Sequence, residues 1–461
     1  MKTLRVLGTF TLTMLSVNAV LNLRSLPAMA SLGPSSVVFF ALAAVCFLLP
    51  SAAVCAELAT AFPKNGGIYT WVRAAFGERV GWLAIWMEWI NNVIAFPATL
   101  ATILTTLAYV GLPGLMNNKY ELFWGMLVIL WAATFFNFLG IRASTRLNIL
   151  GALLGTIVPG FGIIALGIYA LWQHPETQVL TQVSWLPSLG LGSLAIFIST
   201  LSAYSGMQIT AFHAQNVTDP RRSYPRAIFL ATLLIFVIST LATLAMVSVL
   251  VHHPINLMNG VIESFDAFFE QFQLTHLTPV LAVLIALGSV ASLSAWLIGP
   301  ARGMQNACYH HAVLMPLAKL NTREMPYRIL LLQAIICTAL AALFLGMPSF
   351  QSAFWVLITL TSQFTVLMYV LVFASAIRLR YSHAAVPRPF RVPGSNVWMW
   401  IVAGMGAATC AAGFFLGLFP PKVIGIEHTL RYAGFVLTGD AIILLIPLVF
   451  LSVTLSRKIL N

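Results

Sequence analysis

Five ionisable side chains stand inside or at the ends of long apolar runs: Arg24, Glu57, Glu88, His213 and Asp440. A charge at the centre of a lipid-spanning helix costs about 2.5–3.5 kcal/mol even on the lowest scales, so each must face a partner or a polar cavity. Glu88, in Trp86-Met-Glu88-Trp-Ile-Asn91-Asn92, can recognise an amine, carry a proton, or serve only as a structural ion pair. Arg24 can meet a carboxylate on a bound molecule, pair with Glu88, or snorkel outward along its own stem. Catalysis is not expected. No His/Glu or Ser/Lys cluster shares a run, and the five cysteines show no CxxC spacing. The His-His pairs at 252–253 and 310–311 are adjacent, so their rings diverge on a helix. No G-x-x-x-x-G-K-[ST] phosphate loop occurs. The chain is therefore expected to hold no catalytic residues, no metal and no cofactor.

The elements that position these groups follow from composition. Only 8% of residues are charged and 60% are hydrophobic, with a mean hydropathy of +0.92. A soluble chain carries roughly a quarter charged residues. The net charge of +12 does not indicate nucleic acid, because the basic residues are spread along the chain. A helix needs about 20 residues to cross the hydrocarbon core. Twelve such runs are present, at 5–30, 35–61, 80–110, 122–140, 147–172, 191–213, 226–251, 276–300, 327–346, 351–377, 396–419 and 432–455. The runs are continuous rather than alternating, which makes the chain an all-α, polytopic membrane protein and not a barrel. With the N-terminus inside, twenty of the 24 Lys and Arg fall in inside segments and Arg24 lies in span 1, leaving Lys119, Lys422 and Arg431 outside. This asymmetry places both termini in the cytoplasm. The outside loop at 252–275 interleaves Glu263, Asp266 and Glu270 with Phe265, Phe268, Phe269 and Phe272. It reads as an amphipathic helix, either an interfacial connector or an outer lid.

Two spans carry polar interruptions. Span 1 holds Ser16, Asn18 and Asn22, and predicts an unwound stretch near 16–22. Span 6 reads Ala203-Tyr204-Ser205-Gly206, with Ser-Gly at its middle. Backbone unwound at membrane depth must line a cavity, since its amides and carbonyls otherwise lack partners. Freed carbonyls are expected at 16–19 and 202–205, and freed amides at the start of the second half of span 1. Spans 1 and 6 occupy corresponding positions in two five-helix halves, the arrangement that marks a binding site at the repeat interface.

Four motifs add a family resemblance. They are Glu57-Leu-Ala-Thr-Ala-Phe-Pro63-Lys-Asn-Gly66-Gly67-Ile-Tyr69-Thr-Trp71, Tyr204-Ser-Gly206 leading to Asn216-Val-Thr-Asp219-Pro220-Arg-Arg-Ser-Tyr224-Pro225, Trp296-Leu-Ile-Gly299-Pro300-Ala-Arg302-Gly303-Met304, and Pro387-Arg-Pro-Phe390-Arg391-Val-Pro393-Gly394. Together they resemble the amino acid–polyamine–organocation transporters, closest to the glutamate/γ-aminobutyrate antiporter branch. The resemblance implies inverted five-helix repeats over 1–172 and 173–395, with spans 11 and 12 (396–461) outside them. It also implies alternating access around broken spans 1 and 6, with spans 1, 2, 6 and 7 rocking against 3, 4, 8 and 9. The expected substrate-binding residues are Ser16, Asn18, Ala19, Asn22, Asn91, Ala203, Tyr204, Gly206, Ser292 and Trp296. Glu88, Arg24 and Glu57 are expected in coupling or gating, with Glu57 paired to Arg73 or Arg79. Two features depart from the family. The Gly-rich break of span 1 is replaced by Ser16, Asn18 and Asn22, and Ser292 stands where the antiporter branch can carry an acidic residue. The expected partners are amino acid substrates, the lipid bilayer and protons, in a multi-pass protein of the cell inner membrane, monomeric or homodimeric. Two alternatives stay open: a carrier of cationic amino acids or polyamines using Glu88, and a substrate-sensing receptor without transport.

Overall fold

The computed structural model describes residues 7–63, 66–111, 118–173, 185–187, 190, 197–198, 200–250, 260–311, 314–346, 350–419 and 429–459. Among these, nine helices are long and apolar enough to cross a membrane, from Gly33–Ala61 to Arg431–Val449. They fall on expected spans 2, 3, 4, 5, 7, 8, 10, 11 and 12. A shorter apolar helix, Tyr327–Ala342, stands at span 9. Spans 1 and 6 are the interrupted ones. No strand forms among the described residues. A single bridge, with Leu7 N–H on the Asn216 carbonyl at 3.0 Å, ties the start of span 1 to the end of span 6.

Span 1 comprises α1 (Thr9–Val20), a 3₁₀ turn (Leu23–Ser25) and α2 (Leu26–Ala30). The break lies at Leu21–Asn22, the far edge of the expected stretch. Asn22 causes it. Its side-chain oxygen accepts the Arg24 amide at 3.2 Å, and its backbone is extended. A short amide side chain that bonds the backbone ahead of it competes with helix in this way. Span 2 comprises α3 (Ser36–Ala43), a π-helical turn (Ala44–Leu48) and α4 (Leu49–Ala61). A short helix, α5 (Ile68–Phe76), leads through Gly77 into α6 (Glu78–Leu107), which is span 3. Span 4 is α7 (Lys119–Asn137). Span 5 comprises α8 (Ile141–Leu150), a π-helical stretch (Gly151–Ile157) and α9 (Val158–Gln173).

Span 6 is helical at 200–203, opens at Ser205–Gly206, and resumes as a 3₁₀ helix (Met207–Asn216). Gly206 has φ +130°, a backbone conformation that side-chain-bearing residues avoid. There follow α10 (Pro220–Leu250), α11 (Gly260–Gln271), α12 (Thr278–Tyr309), α13 (Tyr327–Gly346), α14 (Phe350–Ser382), α15 (Asn396–Leu416) and α16 (Thr429–Ile459).

Packing assigns roles to several sequence features. Gly155 abuts the Gly288 backbone and Gly151 abuts Ala291, so this small-residue pair lets span 5 close on span 8 within one chain. Gly417 abuts Gln363 of α14 as closely, whereas Gly413 is in ordinary contact with Val366. Helix α11, in the loop expected outside, does not lie free of the bundle. Phe265 and Phe268 are fully buried, and the helix packs on α2, α9, α10 and α12. Thr278 Oγ1 donates to Asp266 Oδ1 at 2.6 Å and pins its C-terminal side.

Glu57 corrects an expectation. It pairs with neither Arg73 nor Arg79 but with Arg380 and Arg388, from the end of span 10 and the loop beyond it. Arg380 Nε lies 2.9 Å from Oε1 and Nη2 lies 2.6 Å from Oε2. Arg388 Nε lies 3.3 Å from Oε1, and the Val392 amide donates to Oε2 at 2.7 Å. The Pro387–Gly394 motif is thereby the strap that closes over the span 2 carboxylate.

Candidate functional site

A cavity of roughly 190 Å³ opens where the two broken spans meet α6, α12 and α14. From span 1 it is lined by Ala19, Asn22 and Arg24, and from span 6 by Ser202, Ala203 and Ser205. Asn91 and Thr99 of α6, Ser292 and Trp296 of α12, and Thr365 of α14 complete its polar wall. The unwound backbone at 21–22 supplies donors: among the described residues the amides of Asn22 and Leu23 have no backbone partner. A carboxylate fits such a position, because freed amides at a helix start attract anions.

The expected carbonyl acceptors are largely engaged. The Val17 carbonyl takes the Leu21 amide at 2.7 Å, and the Ser202 carbonyl takes the Ser205 amide at 3.1 Å. The Ala19 carbonyl accepts the Trp296 indole at 3.1 Å. Trp296 thus walls the cavity and also fastens span 8 to the break in span 1.

Arg24 is the one charged side chain lining this cavity among the described residues. Its Nη1 donates to Thr99 Oγ1 at 2.6 Å, and no acidic side chain among the described residues meets it. It does not pair with Glu88, whose carboxylate is bound by Gln208. Asn91 Nδ2 donates to Thr365 Oγ1 at 3.0 Å, so this amide is positioned from span 10.

Several expected site residues lie elsewhere. Ser16 sits within α1, fully buried and away from the cavity. Asn18 is also inside α1. Its Nδ2 donates to Asn148 Oδ1 at 2.8 Å, and it faces a second void of roughly 40 Å³ that shares Asn22, Arg24, Thr99 and Ser292 with the first. Tyr204 does not close over the main cavity. Its ring packs 5.8 Å from Phe40, and its hydroxyl lies 2.7 Å from Ser239 Oγ of span 7. Gly206 stands behind the cavity wall and donates its amide to Tyr369 Oη at 3.0 Å. Glu88 is buried and does not line the cavity. Gln208 Nε2 donates to its Oε1 at 2.9 Å, and the Tyr369 hydroxyl donates to Gln208 Oε1. The carboxylate is thereby linked through Gln208 to the span 6 break rather than exposed to the cavity. Glu57 lies far from it in the strap.

Thr99, Thr365, Gln208 and Tyr369 escaped sequence reasoning. A usable signal existed for span 10, where Thr361-Ser362-Gln363-Phe364-Thr365 interrupts an otherwise apolar run.

Comparison with known proteins identifies the frame around this cavity. Residues 7–440 match the amino acid permease family. The chain belongs to the amino acid permease family. Its members are membrane transporters, not enzymes. The permease is 39% identical over 447 residues to an uncharacterized transporter of Legionella pneumophila, covering 97% of this chain and 96% of that one. It is 30% identical over 457 residues to the glutamate/gamma-aminobutyrate antiporter of Lactococcus lactis, covering 97% and 90%. It is 26% identical over 395 residues to the mouse Asc-type amino acid transporter 1, covering 79% and 71%.

The close approach at Gly206 yields a test. A Cβ there would strike Val20 and the Trp296 ring, on a backbone already at φ +130°. Strain of about 1–3 kcal/mol is expected for Gly206→Ala. This permease variant should still fold and reach the membrane but lose most of its uptake. Uptake within twofold of wild type at equal membrane abundance would contradict the tight fit.

Proposed function

We propose that this permease is an amino acid antiporter of the cell inner membrane, taking an acidic amino acid such as glutamate in exchange for a second amino acid or a decarboxylation product. Arg24 carries this reading. Among the described residues it is a fixed positive charge on the wall of an otherwise neutral cavity, and none of their acidic side chains pairs with it. An anionic side chain gains a charge-assisted bond there, whereas a lysine or polyamine substrate meets like charge. The Lactococcus relative named as a glutamate/gamma-aminobutyrate antiporter supports the same substrate class.

Residues 1–172 and 173–395 form the two inverted repeats in this proposal, and 396–461 lie outside them. The amino acid backbone sits between the breaks, with its carboxylate on the amides at 22–23. The side chain points toward Arg24, Thr99 and Asn91. Spans 1, 2, 6 and 7 rock against 3, 4, 8 and 9, and the Leu7–Asn216 pairing makes the inner halves of spans 1 and 6 move together. Both termini face the cytoplasm, as the Lys and Arg distribution indicates.

Counterflow in proteoliposomes tests the proposal. Liposomes loaded with glutamate should take up labelled glutamate far faster than empty ones. Equal rates would remove exchange from the mechanism. Transport of lysine or putrescine in preference to glutamate would remove the acidic substrate.

A further inference from the structure

The end of span 8 carries a cluster that the transport cavity does not use. His310 and His311 follow directly on α12, at the face assigned to the cytoplasm, and meet α5 and the start of α6. The His310 ring stacks on Tyr69 at 6.1 Å and 29°. The Arg73 guanidinium lies over the same Tyr69 ring, 5.7 Å from its centroid. His311 stands edge-on to Trp82 at 5.1 Å, and its Nε2 is 3.6 Å from Glu78 Oε1. Two histidines thus bridge span 8 to the connector between spans 2 and 3.

This seam encloses a moving part. Phe212, fully buried on the inner half of broken span 6, fits a slot made by glycines. A side chain at Gly67 at the start of α5, or at Gly303 of α12, would strike its ring, and one at Gly299 would strike Ile209 and crowd the ring. α5 itself runs between positive-φ joints, Gly66 and Gly67 on one side and Gly77 on the other. Separation of α5 from the end of α12 therefore widens the slot that holds span 6.

We propose that His310 and His311 form a proton-operated latch on the cytoplasmic mouth, in which acid on that face loosens the α5–α12 seam around Phe212. The titratable and charged groups facing the pair are Tyr69 and Arg73 from α5, Glu78 from α6, and Cys308 from α12. Tyr69, pushed up to about 12 chiefly by burial, stays neutral throughout. His310 is an exposed residue, and the limited burial of its imidazole, then Arg73, hold it below its ordinary value. The sign follows. The closed seam binds the His310 proton more weakly than the open one, so closure is favoured above pH ~6.5 and is lost as pH falls below it. A protonated His311 faces the Glu78 carboxylate instead and keeps the start of α6 in place. Acid therefore releases α5 while α6 holds, and Gly77 is the joint between them.

Cys308 reports on the seam without any substrate, so the test is independent of the antiport reading. It is 2% exposed and lies next to Tyr69. The purified full chain is labelled with a maleimide at pH 7.5 and pH 5.5, and Cys308 is quantified by peptide mass. Wild type and His310→Gln are compared at the same pH, which cancels the thiol's own pH dependence. They should label equally at pH 7.5, and wild type about three- to tenfold faster at pH 5.5, because only wild type gains a charge there. His310→Arg carries a permanent charge and should label fast at pH 7.5. If wild type and His310→Gln keep one ratio at both pH values, the stack is only packing and the latch is wrong. The latch is also wrong if His310→Arg labels no faster than wild type at pH 7.5.

Discussion

Arg24→Gln is expected to raise the half-saturating concentration for glutamate roughly 10- to 150-fold, while glutamine and alanine change little. A hydrogen bond to a charged group contributes about 1.5–3 kcal/mol, and about 1.4 kcal/mol corresponds to tenfold in affinity. Gln keeps a donor for Thr99 Oγ1, the observed partner of Arg24 at 2.6 Å. The variant thus removes charge with little change in shape. Arg24→Lys should recover part of the loss, since it restores the charge without the planar fork. The comparison across substrates decides the matter. A uniform loss for acidic and neutral amino acids alike would place the guanidinium on a group common to all of them, and the distal-carboxylate assignment would fall. The measurement is inhibition of labelled uptake by an unlabelled amino acid panel.

Glu57→Gln is expected to cost about 3–5 kcal/mol of stability, the range for breaking a buried ion pair by removing one partner. Both pair members are 2% exposed at the side chain. Glutamine leaves Arg380 and the largely buried Arg388 facing each other with no anion between them. It also offers one acceptor oxygen where the carboxylate has two, taking Arg380, Arg388 and the Val392 amide. The expected readout is a sharp fall in folded yield and melting temperature in detergent, with no change in substrate preference in whatever protein survives. Adding Arg380→Met to Glu57→Gln should restore part of the stability, because the orphaned charge is removed with it. A single variant as stable as wild type would show that the strap is held by its prolines and apolar contacts instead.

The sequence was most informative where hydrocarbon imposes a rule. Apolar runs and the Ser205–Gly206 break were legible because lipid tolerates few alternatives. The span 1 break was legible in kind, but its position was shifted. Ser16 and Asn18 are polar yet remain helical, Asn18 by bonding Asn148 across to span 5. Asn22 alone caps a new turn, and composition does not distinguish these uses of a polar residue. Tyr204 shows the same limit, since its position at the break is local but its direction depends on Ser239 of span 7. Glu57 was visible as a buried carboxylate. Its partners were not, because nearby Arg73 and Arg79 are equally plausible by charge, and only tertiary packing brings Arg380 to it.

The strap also bears on biosynthesis. Glu57 and the Val392 amide are 335 residues apart in the chain. At about 5–20 residues per second, roughly 20–70 s separate the synthesis of one from the other. During that interval span 2 is in the bilayer with a carboxylate that has none of its final donors. The nascent permease therefore carries a polar mark of incompleteness that is erased only when span 10 and the segment after it arrive. A chain truncated before residue 380 retains that mark, and membrane quality control has a chemical difference by which to tell it from the finished protein.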